Sequence, residues 1–334
     1  MNVLFVGLGS IGQRHLRNIR KIYPKYKIFA YRRVFKTPTL NNSNRVLNQP
    51  LKKKYKITYV NSLKKLSKYS IDIGIICSPS NMHVDESISL LKQNINIFVE
   101  KPLGSSLKNI NKLNNLALKS KKVSMVGFQL KFCPIINFLK NTIKSKKFGM
   151  IKYLSIHHGE HIKNFHTYEK YEDLYAARKK LGGGVILTQI HEIDYLLYLL
   201  SDYSLEKTKS IDLKISDLKI DVEDISSNIL VFKNYKNEKV ITNINLNYFE
   251  IPRRREINII FQKARIKADL IKQEIIILTQ KNKKILKFPY KRNDLFMKEL
   301  KYFIKCVKYK KKVKKDYDIK NAISSLKIAL KLKN

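Results

Sequence analysis

Residues 2 to 12 read NVLFVGLGSIG, an apolar run of strand length that ends in glycines spaced G-x-G-x-x-G and passes directly into a helical pattern. A run without polar alternation belongs to a strand buried on both faces, which requires a parallel sheet with helices on either side. Gly7 permits the tight turn out of the strand, Gly9 lets a ligand approach the backbone, and Gly12 lets the helix pack close on the strand. In that helix Leu16, Ile19 and Tyr23 recur on one side, while Arg14, Arg17 and Arg20 take the other. The free N–H groups and positive dipole end at its start suit a phosphate, so the motif predicts a bound dinucleotide.

The same grammar continues to about residue 130. Strands are expected at 2–7, 27–31, 56–60, 71–77, 95–100 and 123–127, with helices at 11–23, 61–68, 83–93 and 105–121 between them. Residues 34–54 hold two prolines and many asparagines and read as a surface insertion. Beyond 150 the strands at 151–158, 210–216, 224–234, 239–249, 256–270 and 274–280 are joined by short turns, which predicts a mainly antiparallel sheet. Helices are expected at 184–200, 293–308 and 317–332. The fold class is therefore α/β: a doubly wound Rossmann domain over 1–130, a second α/β domain over 131–310, and a basic loop and helix over 311–334 that packs back on the body.

Composition excludes more than it selects. The formal charge of +42 would suit a nucleic-acid binder, but the lysines are spread through every segment with isoleucine and asparagine, and only 308–315 is a dense run. No specific nucleic-acid partner is expected. No stretch reaches the roughly 18 apolar residues of a membrane span, and glycines interrupt the apolar N-terminus, which reads as a strand rather than a leader. Cys77, Cys133 and Cys306 lack metal or disulfide spacing and fit a reducing cytoplasm. Five of the seven histidines, His157, His158, His161, His166 and His191, fall in one region, yet strand alternation sends His157 and His158 to opposite faces, and no metal is expected.

Three features point to chemistry. The second strand ends in Tyr31, Arg32 and Arg33 where an NAD-binding domain carries a carboxylate, so NADP is favoured over NAD. Lys101, between Glu100 and Pro102, stands just past the end of a parallel strand, where it can donate to a substrate oxygen. His191 follows a glycine run in GGGVILTQIHEID; taken alone it reads equally as a core histidine, but with a cation on the same oxygen it makes a competent base for oxidising a secondary alcohol. Arg178 can pair an anionic group and Tyr171 and Tyr175 can stack on a sugar or base, so with His166 they read as a substrate loop.

The glycine fingerprint, ICSPSNMHVD after the fourth strand, EKP after the fifth, VGFQLKF after the sixth, GGG before a helix with H-x-x-D, and NDLFMKELKYFIKCV near the end together resemble the Gfo/Idh/MocA family, named for glucose-fructose oxidoreductase and inositol dehydrogenase. The segment NFHTYEKYEDLYAARKKLGGGVIL is similar to members that occur with sugar-nucleotide and surface-polysaccharide functions.

The resemblance implies an NAD(P)-dependent dehydrogenase or reductase acting on a sugar, cyclitol or nucleotide-linked sugar. It implies Gly7, Gly9, Ser10, Ile11 and Gly12 as the phosphate loop, and Ser78, Asn81, His83, Glu100 and Lys101 beside the nicotinamide. Lys101 and His191 become the catalytic pair, with Asp194 orienting the helix face or the imidazole and Gln129 and Lys131 facing the substrate. An open second sheet implies a homodimer or homotetramer. Many members carry an aspartate three or four residues before the histidine; here Leu187 and Thr188 stand there, and Thr188 can bond a hydroxyl but not take its proton. That departure leaves a non-catalytic dinucleotide-binding regulator as the rival reading.

Overall fold

A computed structural model describes residues 1–33, 37–166 and 168–333. The first sheet is built from β1 (Asn2–Val6), β2 (Lys27–Tyr31), β5 (Ile57–Tyr59), β6 (Ile73–Ile76), β7 (Asn96–Glu100) and β8 (Ser124–Gly127), with the two-residue strands β3 (Thr39–Leu40) and β4 (Val46–Leu47) forming a separate hairpin. Its order is β5-β2-β1-β6-β7-β8 and every pairing is parallel. Helices α1 (Ser10–Ile22), α2 (Leu51–Tyr55), α3 (His83–Lys92) and α4 (Ile110–Lys119) lie in the connections. All four residues of β6 are buried, as an apolar central strand requires. Of the insertion expected over 34–54, residues 34–36 lie outside the described residues; the rest supplies the β3–β4 hairpin and α2.

The second domain opens with α5 (Pro134–Ser145), which has proline in its first turn and buries Ile135, Ile136 and Leu139. Its sheet comprises β9 (Ile151–Gly159), β10 (Tyr203–Leu213), β11 (Ile225–Asn234), β12 (Lys239–Asn247), β13 (Arg254–Phe261), β14 (Arg265–Asp269), β15 (Glu274–Leu278) and β16 (Lys283–Lys287). The order is β10-β11-β12-β9-β13-β14-β15-β16, antiparallel except where β9 meets β12. One face is packed: Leu154, Ile156, Leu230, Phe232, Ile244 and Ile257 are buried. Helices α6 (Val185–Thr188), α7 (His191–Leu199), α8 (Arg292–Lys308) and α9 (Ile319–Leu332) complete the chain.

Three expected elements take another form. Residues 61–68 give only a single 3-10 turn at Ser67–Tyr69, because the Gln93 side chain accepts from Leu66 N–H and donates to the Leu63 carbonyl, occupying groups a helix would use. The strand expected over 256–270 folds back as the β13–β14 hairpin, closed by Phe261 N–H on the Ala264 carbonyl at 2.8 Å. The helix expected over 184–200 breaks between α6 and α7.

The last helices tie the two sheets together. Leu300, Phe303 and Ile304 of α8 share a core with Val3, Phe5 and Phe98 of the Rossmann sheet, and the Phe98 and Phe303 rings meet edge-on at 5.6 Å. Helix α9 packs against α4, α6, α7 and β10. The three cysteines are buried and unpaired. Among the described residues no helix is long and apolar enough to cross a membrane.

Candidate active site

The cofactor end follows from the glycines. Gly7 has φ +89°, donates to the Tyr31 carbonyl at 3.0 Å, and a Cβ there would stand 2.8 Å from the Cys77 carbonyl oxygen. A Cβ on Gly12 would lie 2.5 Å from the Gly7 carbonyl oxygen, so helix and turn touch. Gly9 faces nothing within 4 Å. This open cradle, beside an α1 N-terminus that has no side-chain cap and no acid in its first turn, fits a dinucleotide phosphate against Ser10 and Ile11.

Around the cradle several expected ligands are occupied by the protein itself. Arg33 pairs with Glu86 at 2.6 Å and lies over the Tyr31 ring, and the Ser78 hydroxyl also donates to Glu86. Arg32 donates to the Thr37 carbonyl at 3.3 Å. Asn81 donates to the Lys180 carbonyl at 3.1 Å, joining the strand-end loop to the segment before the glycine run. His83, expected beside the nicotinamide, is buried, with its ring nitrogens 2.8 Å from the Pro102 carbonyl and 2.7 Å from the Ser78 carbonyl. It braces the loops after β6 and β7 against each other and has no nitrogen left for a ligand.

At the chemistry end, the interruption between α6 and α7 creates an acceptor. Glu192 N–H bonds the Gln189 carbonyl at 3.1 Å, so the Thr188 carbonyl loses its usual helical partner, and Lys101 Nζ donates to it at 2.7 Å. Three residues further on, His191 opens α7, almost fully buried, with the Phe128 ring edge-on at 5.7 Å. Burial, and then the charge of Lys101, hold the His191 imidazole well below its ordinary value, and its Nδ1 has no hydrogen-bond partner.

Two buried acids that sequence reasoning missed support this pair. Glu192 receives Arg255 through contacts of 2.7 and 2.6 Å and lies 3.1 Å from His158 Nδ1. Burial alone would raise its carboxyl, but Arg255 and His158 overcome that and hold it at about 2. Beneath Lys101, Glu100 meets His15 Nε2 at 2.6 Å and accepts the Lys101 N–H at 3.2 Å. Glu299 of α8 closes the cluster; both its oxygens are buried without a partner, and burial, reinforced by the Glu100 charge, raises its carboxyl well above the ordinary range. Glu299 is thus biased toward its protonated form beneath the Lys101 turn. The signal for His15 lay in its spacing from Leu16 and Ile19 on the inward side of α1.

The remaining candidates divide. Lys131, expected to face the substrate, and Asp194, expected to orient the helix face or the imidazole, are instead buried against each other at 2.9 Å. Lys131 also donates to the Asp316 carbonyl at 2.5 Å and to Asn321 at 2.6 Å, which uses all three ammonium donors, and Ser325 donates to Asp194 at 3.0 Å. The pair therefore locks the end of the Rossmann sheet to α7 and α9. Gln129 is buried in the turn just before it. Tyr171 accepts the Lys219 N–H at 3.2 Å, Tyr175 is packed against the core, and Arg178 lies 3.9 Å from Asp173 with its side chain partly exposed. His166 reaches the phosphate loop rather than His191, with Nε2 3.0 Å from Ser10 Oγ. His157 pairs with Glu250 at 2.6 Å and His158 with Glu192, on opposite faces of β9.

Residues 1–128 match the oxidoreductase family with an NAD-binding Rossmann fold, GFO_IDH_MocA. Myo-inositol 2-dehydrogenase of Thermotoga maritima is 23% identical over 316 residues, covering 92% of this chain and 88% of that protein. Among solved structures, UDP-N-acetylglucosamine 3-dehydrogenase GnnA from Acidithiobacillus ferrooxidans superposes with a TM-score of 0.76 at 16% identity, covering 100% of this chain and 96% of its own. Levoglucosan dehydrogenase in complex with NADH gives 0.78 at 13% identity, covering 99% and 95%. Both share the two-domain fold. The Rossmann fold and the family match are those of an NAD(P)-dependent oxidoreductase. Within that class residues 1–128 match the Gfo/Idh/MocA family model, and the whole chain is similar to a member over 92% of its length.

The Glu192–Arg255 pair gives a pH signature. Because the folded carboxyl sits at about 2 against an ordinary 4.5, its stabilisation is fully present above pH 4.5 and is lost as pH falls toward 2. Glu192→Gln is expected to cost about 3–5 kcal/mol at neutral pH by urea denaturation, with the gap to wild type narrowing below pH 4.5. A deficit that does not change with pH would mean the ion pair is not what was lost.

Proposed function

We propose that this chain moves a hydride between NADP(H) and a hydroxyl-bearing or keto carbon of a sugar, cyclitol or nucleotide-linked sugar. The meeting of Lys101 and His191 at the helix break, over the carboxyl ends of the Rossmann strands, carries this reading. Bound in the Gly9 cradle, the nicotinamide nucleotide supplies or accepts the hydride.

The chain's own residues do the rest. Lys101 is fixed through one N–H to the Thr188 carbonyl and keeps two further donors to aim at the reacting oxygen, where they stabilise developing alkoxide charge. His191 rests neutral beside that cation, so it can take the alcohol proton during oxidation and return it during reduction. Leu187 and Thr188 offer no acid, and the proton is handled by His191 itself. Burial of His191 and the edge of Phe128 hold the imidazole in one orientation and exclude water from it.

The basic pair Arg32–Arg33 at the end of β2 supports NADP over NAD: a 2′-phosphate would compete with Glu86 and the Thr37 carbonyl for these guanidinium groups, where a carboxylate in their place would repel it. The partner that covers the outer sheet face is a second copy of the chain, giving a homodimer or homotetramer. Ile211, Ile229, Ile241 and Ile285 lie there 64%, 48%, 48% and 51% exposed, an apolar surface that a lone chain would leave in water.

Two tests follow from this. Lys101→Ala is expected to lower turnover about 100-fold or more on a panel of sugars, cyclitols and nucleotide sugars while NADPH affinity stays unchanged. Full activity in that variant would sink the assignment, and NADPH binding with no turnover by wild type on any substrate would favour the regulator. By light scattering, wild type should have the mass of an oligomer and the Ile229→Lys, Ile241→Lys double variant that of a monomer; a monomeric wild type would overturn the sheet-face contact.

A further inference from the structure

The loop that carries His166 is rooted in the second domain and ends on the first. Ile162 N–H bonds the Tyr248 carbonyl at 2.8 Å, and the Phe165 ring meets the Tyr248 ring edge-on at 5.7 Å, fixing the root to the end of β12. From there His166 crosses the cleft, and its Nε2 comes to 3.0 Å from Ser10 Oγ. Ser10 is the first residue of α1 and neighbours Gly9, whose Cβ direction is open. The imidazole is therefore delivered to the rim of the phosphate cradle by the other domain.

Its orientation is set by two residues of the same loop. Glu169 Oε1 lies 2.6 Å from His166 Nδ1, and the Tyr168 ring stacks on the imidazole at 5.1 Å with 19° between planes. Glu169 is an acceptor, so Nδ1 carries a hydrogen and Nε2 is the atom that faces Ser10. With the ring neutral, Nε2 accepts from the Ser10 hydroxyl. With both ring nitrogens carrying hydrogen, Nε2–H would be a charge-assisted donor to an anion at the helix N-terminus. Burial opposes charge on Glu169, but its bond to His166 prevails and keeps the carboxyl below the ordinary range, so it remains a counter-charge for the ring.

We infer that His166 is a ligand of the dinucleotide's phosphate supplied by the second domain, with Glu169 and Tyr168 as positioning residues, so that cofactor binding latches this loop across the phosphate turn. The inference rests on the dinucleotide reading above. It separates His166 from Tyr171, Tyr175 and Arg178 on the same segment, whose contacts lie within the second domain.

NADPH fluorescence titration of the full chain tests it. His166→Ala is expected to weaken NADPH binding about 10-fold or more, the size of a lost charge-assisted hydrogen bond. His166→Gln, which keeps a donor without the charge, should recover part of the loss, and Glu169→Gln should lose less than His166→Ala. A second readout is trypsin cleavage at the exposed Lys163 and Lys170, which NADPH should slow in wild type and not in His166→Ala. Equal NADPH affinity in wild type and His166→Ala would overturn the latch while leaving the dehydrogenase reading intact. Wild type that binds neither NADPH nor NADH would overturn both.

Discussion

The site depends on one released carbonyl. Had 184–200 formed a single helix, Thr188 would have bonded Glu192 N–H, and Lys101 would have had no fixed acceptor in the second domain. Because Glu192 N–H turns to Gln189 instead, a backbone oxygen projects toward the EKP turn and pins the ammonium 2.7 Å away. The same break starts α7 at His191, so one local irregularity positions the ammonium and the imidazole together. Burial and then the charge of Lys101 hold that imidazole well below its ordinary value. Departures from regular structure commonly mark sites where chemistry outweighs local stability.

Buried polar clusters hold the two domains in the register this needs. Lys131, Asp194, Asn321 and Ser325 join the end of β8 to α7 and α9 with every ammonium donor satisfied. His15, Glu100 and Glu299 join α1, β7 and α8 directly beneath Lys101, where burial and the Glu100 charge push the Glu299 carboxyl above its ordinary range. A chain with 68 basic and 26 acidic residues would be expected to place its acids on the surface as counter-charges. Glu100, Glu192, Asp194, Asp224 and Glu299 are instead fully or nearly fully buried, which spends scarce carboxylates on fixing geometry.

Much of the fold was legible from residues 2 to 12, because a buried strand, three glycines and an amphipathic helix admit few arrangements. The alternation along β11 and β12 likewise exposed their packed face. Motif order singled out Lys101 and His191 as candidates. Other features were set by partners far away in the chain. Gln93 replaces helical bonds near Leu66, a contact no local propensity could show. Strand β16 carries three lysines in five residues, the marks of an exposed edge rather than of a core strand. Lys131 and Asp194 looked like ligands by position, and only α9 reveals that their hydrogen bonds are spent inside.

The central claim is that Lys101 and His191 form one electrostatic unit at the helix break. The most direct measurement is a pH titration of the His191 imidazole by 15N NMR in wild type and in Lys101→Met. The ring should be neutral throughout the range where an ordinary histidine titrates, and its pKa should move upward when the Lys101 charge is removed. An imidazole that titrates normally and does not respond to Lys101→Met would contradict the account.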